Sequence, residues 1–293
     1  MSRLPTWIRV RLPADGRHDA VRDMLAKESL HTVCQSAACP NLSECFGAGT
    51  ATFMILGEFC TRHCRFCAVS QGAPSPVDHE EPVRVARAAA YFGLSHVVVT
   101  SVTRDDLDDG GAGSFARTIS ELRRTLPNAS IEVLTPDFRG VARSVATVLM
   151  AGPDVFNHNL ETVRRLQPDV RPEADYDRSL SVLAMAARWR PELIVKSGIM
   201  VGLGETDDEI VAAMSDLYSA GCASLTIGQY LAPSKEHAPV ARYVPPESFE
   251  GLRNMAMAMG FRSVAAGPLV RSSYRAGELL RQERTEGTAC CGR

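Results

Sequence analysis

Thr52-Phe-Met-Ile-Leu56-Gly-Glu-Phe-Cys60-Thr-Arg-His-Cys64-Arg-Phe-Cys67 is the stretch on which the fold turns. Residues 52–56 form a short, nearly continuous apolar run, which predicts a strand buried on both faces. Three thiols follow at once, so the strand runs into a loop suited to holding a metal group. Structural zinc wants four ligands, usually from paired cysteine units. His63 could supply a fourth, but it is adjacent to Cys64 and would point elsewhere. A redox pair of Cys64 and Cys67 leaves Cys60 without a purpose. Iron–sulfur clusters are held by thiolates in short looping segments, and three thiolates leave one iron open to a substrate. Ligand softness and spacing together favour the iron–sulfur reading.

Working outward, the chain has nine cysteines. Six fall in two triplets: Cys34, Cys39 and Cys45, then Cys60, Cys64 and Cys67. Cys222 stands alone, and Cys290 and Cys291 lie near the end. A secreted disulfide scaffold would be cysteine-dense throughout, whereas such clustering in a reducing compartment points to metal binding or catalysis. Cys222 reads as a buried small hydrophobe. The 293 residues carry a formal charge of −2, so the chain is not built around a phosphate backbone or an anionic membrane. Hydrophobic residues make up 45% and charged residues 23%, which argues for a globular protein. No apolar run has the length of a membrane span. Met1 to Arg11 lacks the apolar centre of a secretory signal, so a cytoplasmic protein is expected.

Six strands are predicted, at residues 52–56, 96–101, 130–135, 155–159, 194–200 and 224–229, each separated by enough chain for a crossover helix. Thr206 and Glu209 have capping-box spacing. Ile210, Val211, Met214, Leu217 and Tyr218 then share one helical face, and Gly221 can close that helix. Alternating strand and helix predicts a parallel sheet with helices outside, with function at the strand C-terminal ends. Polar motifs fall there: Thr100-Ser-Val-Thr-Arg-Asp105-Asp106-Leu, Asn157-His-Asn-Leu-Glu161-Thr, Ser197-Gly-Ile-Met-Val-Gly-Leu-Gly-Glu205-Thr and Gln229-Tyr-Leu-Ala-Pro-Ser234. Each also has a plain structural reading. Asp105 and Asp106 could be solvated loop acids, Gly198, Gly202 and Gly204 turn glycines, Glu205 a helix-start residue and His158 a packed histidine.

The spacing Cys60-x-x-x-Cys64-x-Phe66-Cys67 resembles the cysteine signature of the radical S-adenosylmethionine superfamily, with Phe66 at the aromatic position near the adenine. That resemblance implies an α/β fold, a partial (β/α)6 barrel of the TIM type, and an open iron that chelates the methionine moiety. Leu30-His-Thr-Val-Cys34-Gln-Ser-Ala-Ala-Cys39-Pro-Asn-Leu-Ser-Glu-Cys45-Phe is similar to the signature of lipoyl synthases, and so are residues 49–67, 100–111, 156–163, 200–206 and 225–233. Arg271-Ser-Ser-Tyr-Arg-Ala276 resembles that family's terminal motif, and the likeness runs from about Trp7 to Ala276.

The resemblance implies two 4Fe–4S clusters. Cys60, Cys64 and Cys67 would hold the one that cleaves S-adenosylmethionine. Cys34, Cys39 and Cys45 would hold an auxiliary one, with Ser273 as fourth ligand and Ser272 the alternative. Expected cofactor contacts are Phe66, Thr100, Ser101, Asp105, Asn159, Glu161, Lys196, Glu205, Gln229, Tyr230 and Leu231. Residues 1–48 and 263–293 are expected as extensions that cover a barrel spanning 49–262, with a disordered tail in which the adjacent Cys290 and Cys291 are poor joint ligands. The implied chemistry is radical removal of hydrogen at C6 and C8 of an octanoyl chain, with sulfur donated by the auxiliary cluster. Implied partners are an octanoylated lipoyl carrier protein or lipoyl domain, an electron donor such as flavodoxin or ferredoxin, and an iron–sulfur carrier protein, with no nucleic acid and no membrane. The sequence departs from the family's habit at Gln35, Phe46 and Lys235-Glu236-His237, which bears on docking more than on chemistry. The rivals are a sulfur-inserting enzyme for a free small molecule, like the biotin synthases, and a non-enzymatic cluster or zinc protein.

Overall fold

Eight short segments pair in chain order into one sheet: β1 (His31–Thr32), β2 (Thr52–Ile55), β3 (His96–Ser101), β4 (Ser130–Leu134), β5 (Val155–Asn157), β6 (Ile194–Val201), β7 (Ser224–Gln229) and β8 (Ser263–Gly267). The computed structural model describes residues 4–8, 17–47, 51–274, 276–278 and 280. Expectations placed on Gly49, on Arg275, on Cys290 and Cys291, and on a tail at 281–293 lie outside the described residues. From β2 to β8 every neighbour is parallel, while β1 runs antiparallel on β2. Six helices make the crossovers: Glu81–Tyr91, Ala112–Thr125, Ala142–Met150, Tyr176–Ala187, Asp207–Ser219 and Pro246–Met259. The architecture is the expected α/β partial barrel, extended by β1 and β8 at its two edges.

The six expected strands all form, with ends within two residues of the predicted ones. Two strands have no counterpart among those predicted. β1 holds two residues, too few for any periodicity. β8 is Ser-Val-Ala-Ala-Gly, whose small residues carry little strand propensity. It is held by register, Leu225 opposite Val264 and Ile227 opposite Ala266.

The helix after β6 begins as expected. Thr206 Oγ1 accepts from Glu209 N while Glu209 accepts from Thr206 N at 2.8 Å, closing the capping box. Ile210, Met214 and Leu217 are buried against the sheet, but Tyr218 stays exposed and tilts onto Phe261. Gly221, at φ 89, ends that turn in the left-handed conformation glycine tolerates. Between sheet and helices sits a close-packed layer that includes Phe53, Ile55, Val97, Phe115, Ile119, Ile131 and Phe156. No helix among the described residues is long and apolar enough to cross a membrane.

Strand side chains alternate, so every second residue points into the barrel. Low in the interior lies a buried charge cluster. Lys196 Nζ on β6 and Asn157 Nδ2 on β5 each meet Glu132 Oε1 on β4 at 2.9 Å. Burial would raise the Glu132 carboxyl, but the Lys196 ammonium and His96 outweigh it and hold it down to about 2. Glu132→Gln strands a buried ammonium, and breaking such a pair costs about 3 kcal/mol. We expect that loss in the urea midpoint at neutral pH. The depressed carboxyl fixes the sign. The stabilisation is complete above the unfolded carboxyl's pKa and is lost as pH falls through about 2, so wild type and variant converge in acid.

Candidate functional site

The sheet's two edges deliver the two unusual segments to one seam. The first cysteine triplet follows β1, and residues 269–274 follow β8. They are tied together by Asn41 Nδ2 donating to Leu269 O at 2.7 Å and by the Tyr274 hydroxyl donating to Glu44 at 2.8 Å. Cys39 N donates to Cys34 O and Cys45 N to Asn41 O, which folds the triplet into tight turns. Ala38, beside Cys39, adopts φ 48 to make the first of them.

The second triplet follows β2 and is fastened to three other strand ends. Thr61 N donates to Thr103 O, Arg65 N to Val170 O and Ala238 N to Arg65 O. Within this loop Arg62 is 4% exposed and bonds Asp105 at 2.6 and 3.0 Å and Asp137 at 2.6 Å. Burial would lower the Arg62 guanidinium, but both carboxylates hold it charged; in turn Arg62 keeps Asp137 ionised against its own burial. His63 turns outward onto Glu173, 2.8 Å away, as its place beside Cys64 required.

Two cavities meet here. One, of about 480 Å³, is lined by Cys60, Cys64, Cys67 and Phe66 from the β2 loop, with Thr100, Ser101, Asn159, Glu161, Gln229, Tyr230 and Leu231 from three other strand ends. The other, of about 510 Å³, is lined by Cys34, Cys39, Cys45, Ser273 and Tyr274. Cys34, Cys39, Arg271 and Ser273 line both, so the two thiol triplets face a shared space. Ser272 lines the first cavity, whereas Ser273 lines both.

Burial governs the thiols. It raises Cys34, raises Cys64 against the pull of Arg171, and pushes Cys67 up to about 12 with help from Cys64, Cys60 and Glu161. Without metal these thiols keep their protons, and thiolate–metal bonds would displace them. Among the described residues no three His, Cys, Asp or Glu side chains converge tightly enough for a single metal ion. Two sets of three soft donors suit a polynuclear iron–sulfur group better.

The first cavity also fits a polar nucleoside-sized cofactor. Five of its lining residues present buried polar atoms with no hydrogen-bond partner among the described residues: Ser101 Oγ, Thr135 Oγ1, His158 Nε2, Asn159 Oδ1 and Arg171 Nε. Such atoms are costly unless a ligand meets them. Burial, then Arg171, hold His158 down to about 4. Its Nδ1 must donate to Thr135 O, 2.9 Å away, which leaves Nε2 as a buried acceptor. Glu161 adopts φ 70, a strained backbone for a non-glycine residue and one that marks functional turns.

Three expected cofactor contacts are spent elsewhere and do not line the cavity. Asp105 is the partner of Arg62 and acts through the cysteine loop. Lys196 lies low in the barrel on Glu132. Glu205 accepts from Gly202 N and Leu203 N at 2.6 and 2.8 Å, bracing its own glycine loop. Gln229 lines the cavity, but its amide also clamps Tyr230 O, Arg242 O and Val244 N. Asp106, read as a solvated acid, pairs with Arg104 at 2.8 Å. The sequence reading missed Arg62, Arg171 and Arg271; their signal was only an arginine beside each cysteine or strand-end motif.

Gly198 is set by close approach. A Cβ there would meet Thr226 Oγ1 at 2.6 Å, Asn159 Oδ1 at 2.9 Å and Ser272 Oγ at 3.1 Å. Overpacking of this kind costs about 1–3 kcal/mol. Gly198→Ala should therefore lower stability by about that amount, read as a fall in the urea midpoint while the fold persists.

Comparison with known proteins bears on the same residues. The family model described as the radical SAM superfamily matches residues 54–217. A lipoyl synthase of Acidithiobacillus ferrooxidans is 57% identical over 93% of this chain and 86% of its own length. One from an Anaeromyxobacter species is 56% identical over 95% of each chain. Among solved structures, methylornithine synthase superposes with a TM-score of 0.51 at 12% identity, covering 92% of both chains, a likeness of fold alone. Identity of this order along nearly the whole length assigns the chain to the lipoyl synthase family, within the radical SAM superfamily.

Proposed function

We propose that this chain makes the lipoyl cofactor by inserting two sulfur atoms, at C6 and C8, into an octanoyl group carried on a lysine of a lipoyl carrier protein or lipoyl domain. The observation that carries this reading is the pair of thiol triplets opening on one space, beside a ring of unmatched polar atoms. When bound, the group on Cys60, Cys64 and Cys67 supplies the electron that splits S-adenosylmethionine, and the group on Cys34, Cys39, Cys45 and Ser273 supplies sulfur.

The chain's own residues bind and orient. Ser101, His158, Asn159 and Arg171 offer the polar contacts for S-adenosylmethionine, and Phe66 offers a face for the adenine. Met54, Leu134, Ile199 and Met200 give apolar wall that suits an octanoyl chain and excludes water from the radical. Ser273, a harder oxygen donor than its three sulfur companions, is the ligand best able to leave. The segments that follow β1 and β8 act as covers on the barrel. The carrier protein docks at the strand C-terminal mouth. A flavodoxin or ferredoxin serves as reductant and an iron–sulfur carrier protein rebuilds what is spent, in the cytoplasm.

Anaerobic single turnover tests the reading. We expect about eight irons per chain and about two 5′-deoxyadenosines per lipoyl group formed, on an octanoylated carrier domain and not on free octanoate. Product formed with only about four irons bound would refute it.

A further inference from the structure

Ser272 and Ser273 are neighbours in the chain but serve different partners. Ser273 lines the cavity of the first triplet, while Ser272 Oγ accepts from Asn159 Nδ2 at 2.6 Å. The same amide nitrogen donates to Glu161 Oε1 at 3.0 Å. Asn159 is 9% exposed, and with its nitrogen shared between these acceptors its Oδ1 has no partner among the described residues. In this orientation one amide nitrogen serves both Ser272 Oγ and Glu161 Oε1, and burial raises the Glu161 carboxyl. The surroundings leave little slack. The space at Gly198 that a Cβ would fill borders both Asn159 Oδ1 and Ser272 Oγ. Beyond Ser272 the chain turns at once, with Tyr274 N on Arg271 O and the Tyr274 hydroxyl on Glu44.

The geometry points to Asn159 as a positioning residue that couples occupancy of the S-adenosylmethionine cavity to the placement of Ser273 at the auxiliary triplet. A hydroxyl or ammonium donor of the cofactor on Oδ1 completes the amide's hydrogen bonding. The completed amide holds Ser272, and Ser272 holds the next residue. With the cavity empty, Asn159 lacks that third contact and the terminal segment is held less firmly. The protein thus tightens its fourth, detachable ligand when the cofactor is in place. This rests on the two-cluster reading above.

The test uses the full chain loaded anaerobically with both clusters and kept oxidised, so that S-adenosylmethionine binds without being cleaved. Iron release to a ferrous chelator is followed with and without S-adenosylmethionine, alongside the Mössbauer signature of the auxiliary iron. In wild type, S-adenosylmethionine should slow loss of the serine-held iron about tenfold, the order expected for one well-placed hydrogen bond. Ser272→Ala should load the same iron and still bind S-adenosylmethionine, but lose that protection. Asn159→Ala should bind S-adenosylmethionine more weakly and show no protection even at saturating cofactor, and Ser273→Ala should release the iron quickly in either condition. Full protection in Ser272→Ala, or none in wild type with S-adenosylmethionine bound, overturns the coupling. A wild type that loads only about four irons overturns the two-cluster reading, and the coupling with it.

Discussion

Cys64→Ala is expected to abolish S-adenosylmethionine cleavage, a fall of at least about a thousandfold, because the proposed electron-delivering group is held by Cys64 and its two companions. The variant should still fold. The loop that carries Cys64 is fixed by Arg62 on Asp105 and Asp137, and by backbone bonds to Thr103, Val170 and Ala238. None of these involves the Cys64 side chain. What is lost is one of three thiolates, and two cannot hold a cubane with an open iron. Iron content should fall from about eight to about four per chain with the circular dichroism spectrum unchanged. Cleavage to 5′-deoxyadenosine, read by chromatography after dithionite reduction, is the deciding measurement. Persistent cleavage in Cys64→Ala would remove the second triplet from its role.

Cys39→Ala should separate the two halves of the reaction. Cys39 lines both cavities, and its segment is fixed by Asn41 on Leu269 and by Tyr274 on Glu44. The proposed S-adenosylmethionine contacts, Ser101, His158, Asn159 and Arg171, include none of these residues. The variant should therefore cleave S-adenosylmethionine within about tenfold of wild type yet form no lipoyl product, since the sulfur donor is gone. Iron should again fall by about half. If Cys39→Ala still yields lipoyl groups, the first triplet is not the source of sulfur.

The legible part of the site was the part written in residue type and spacing. Six thiols in two triplets needed no coordinates, and neither did the six apolar strands, because buried parallel strands must be apolar on both faces. Asp105, Lys196 and Glu205 show what spacing leaves out. Each sits at or near a strand's C-terminal end, but position along the chain does not reveal whether a charge already has a partner inside the fold. Arg62, Glu132 and the backbone of Gly202 and Leu203 supply those partners. β8 escaped notice because its stability comes from its register on β7 rather than from its own side chains.

What the amino-acid sequence by itself determined here is the chemistry on offer: soft donors in two sets of three, an aromatic beside one set, and a serine pair near the end. Tertiary structure alone decided which cavity each serine lines, which carboxylates are paired inside the fold, and which buried polar atoms lack a partner among the described residues. The reason is physical. Donor type is a property of a side chain, whereas availability is a property of its neighbours. Those neighbours, Asn159 for Ser272 and Arg62 for Asp105, are brought in from distant strands by the closing of the sheet.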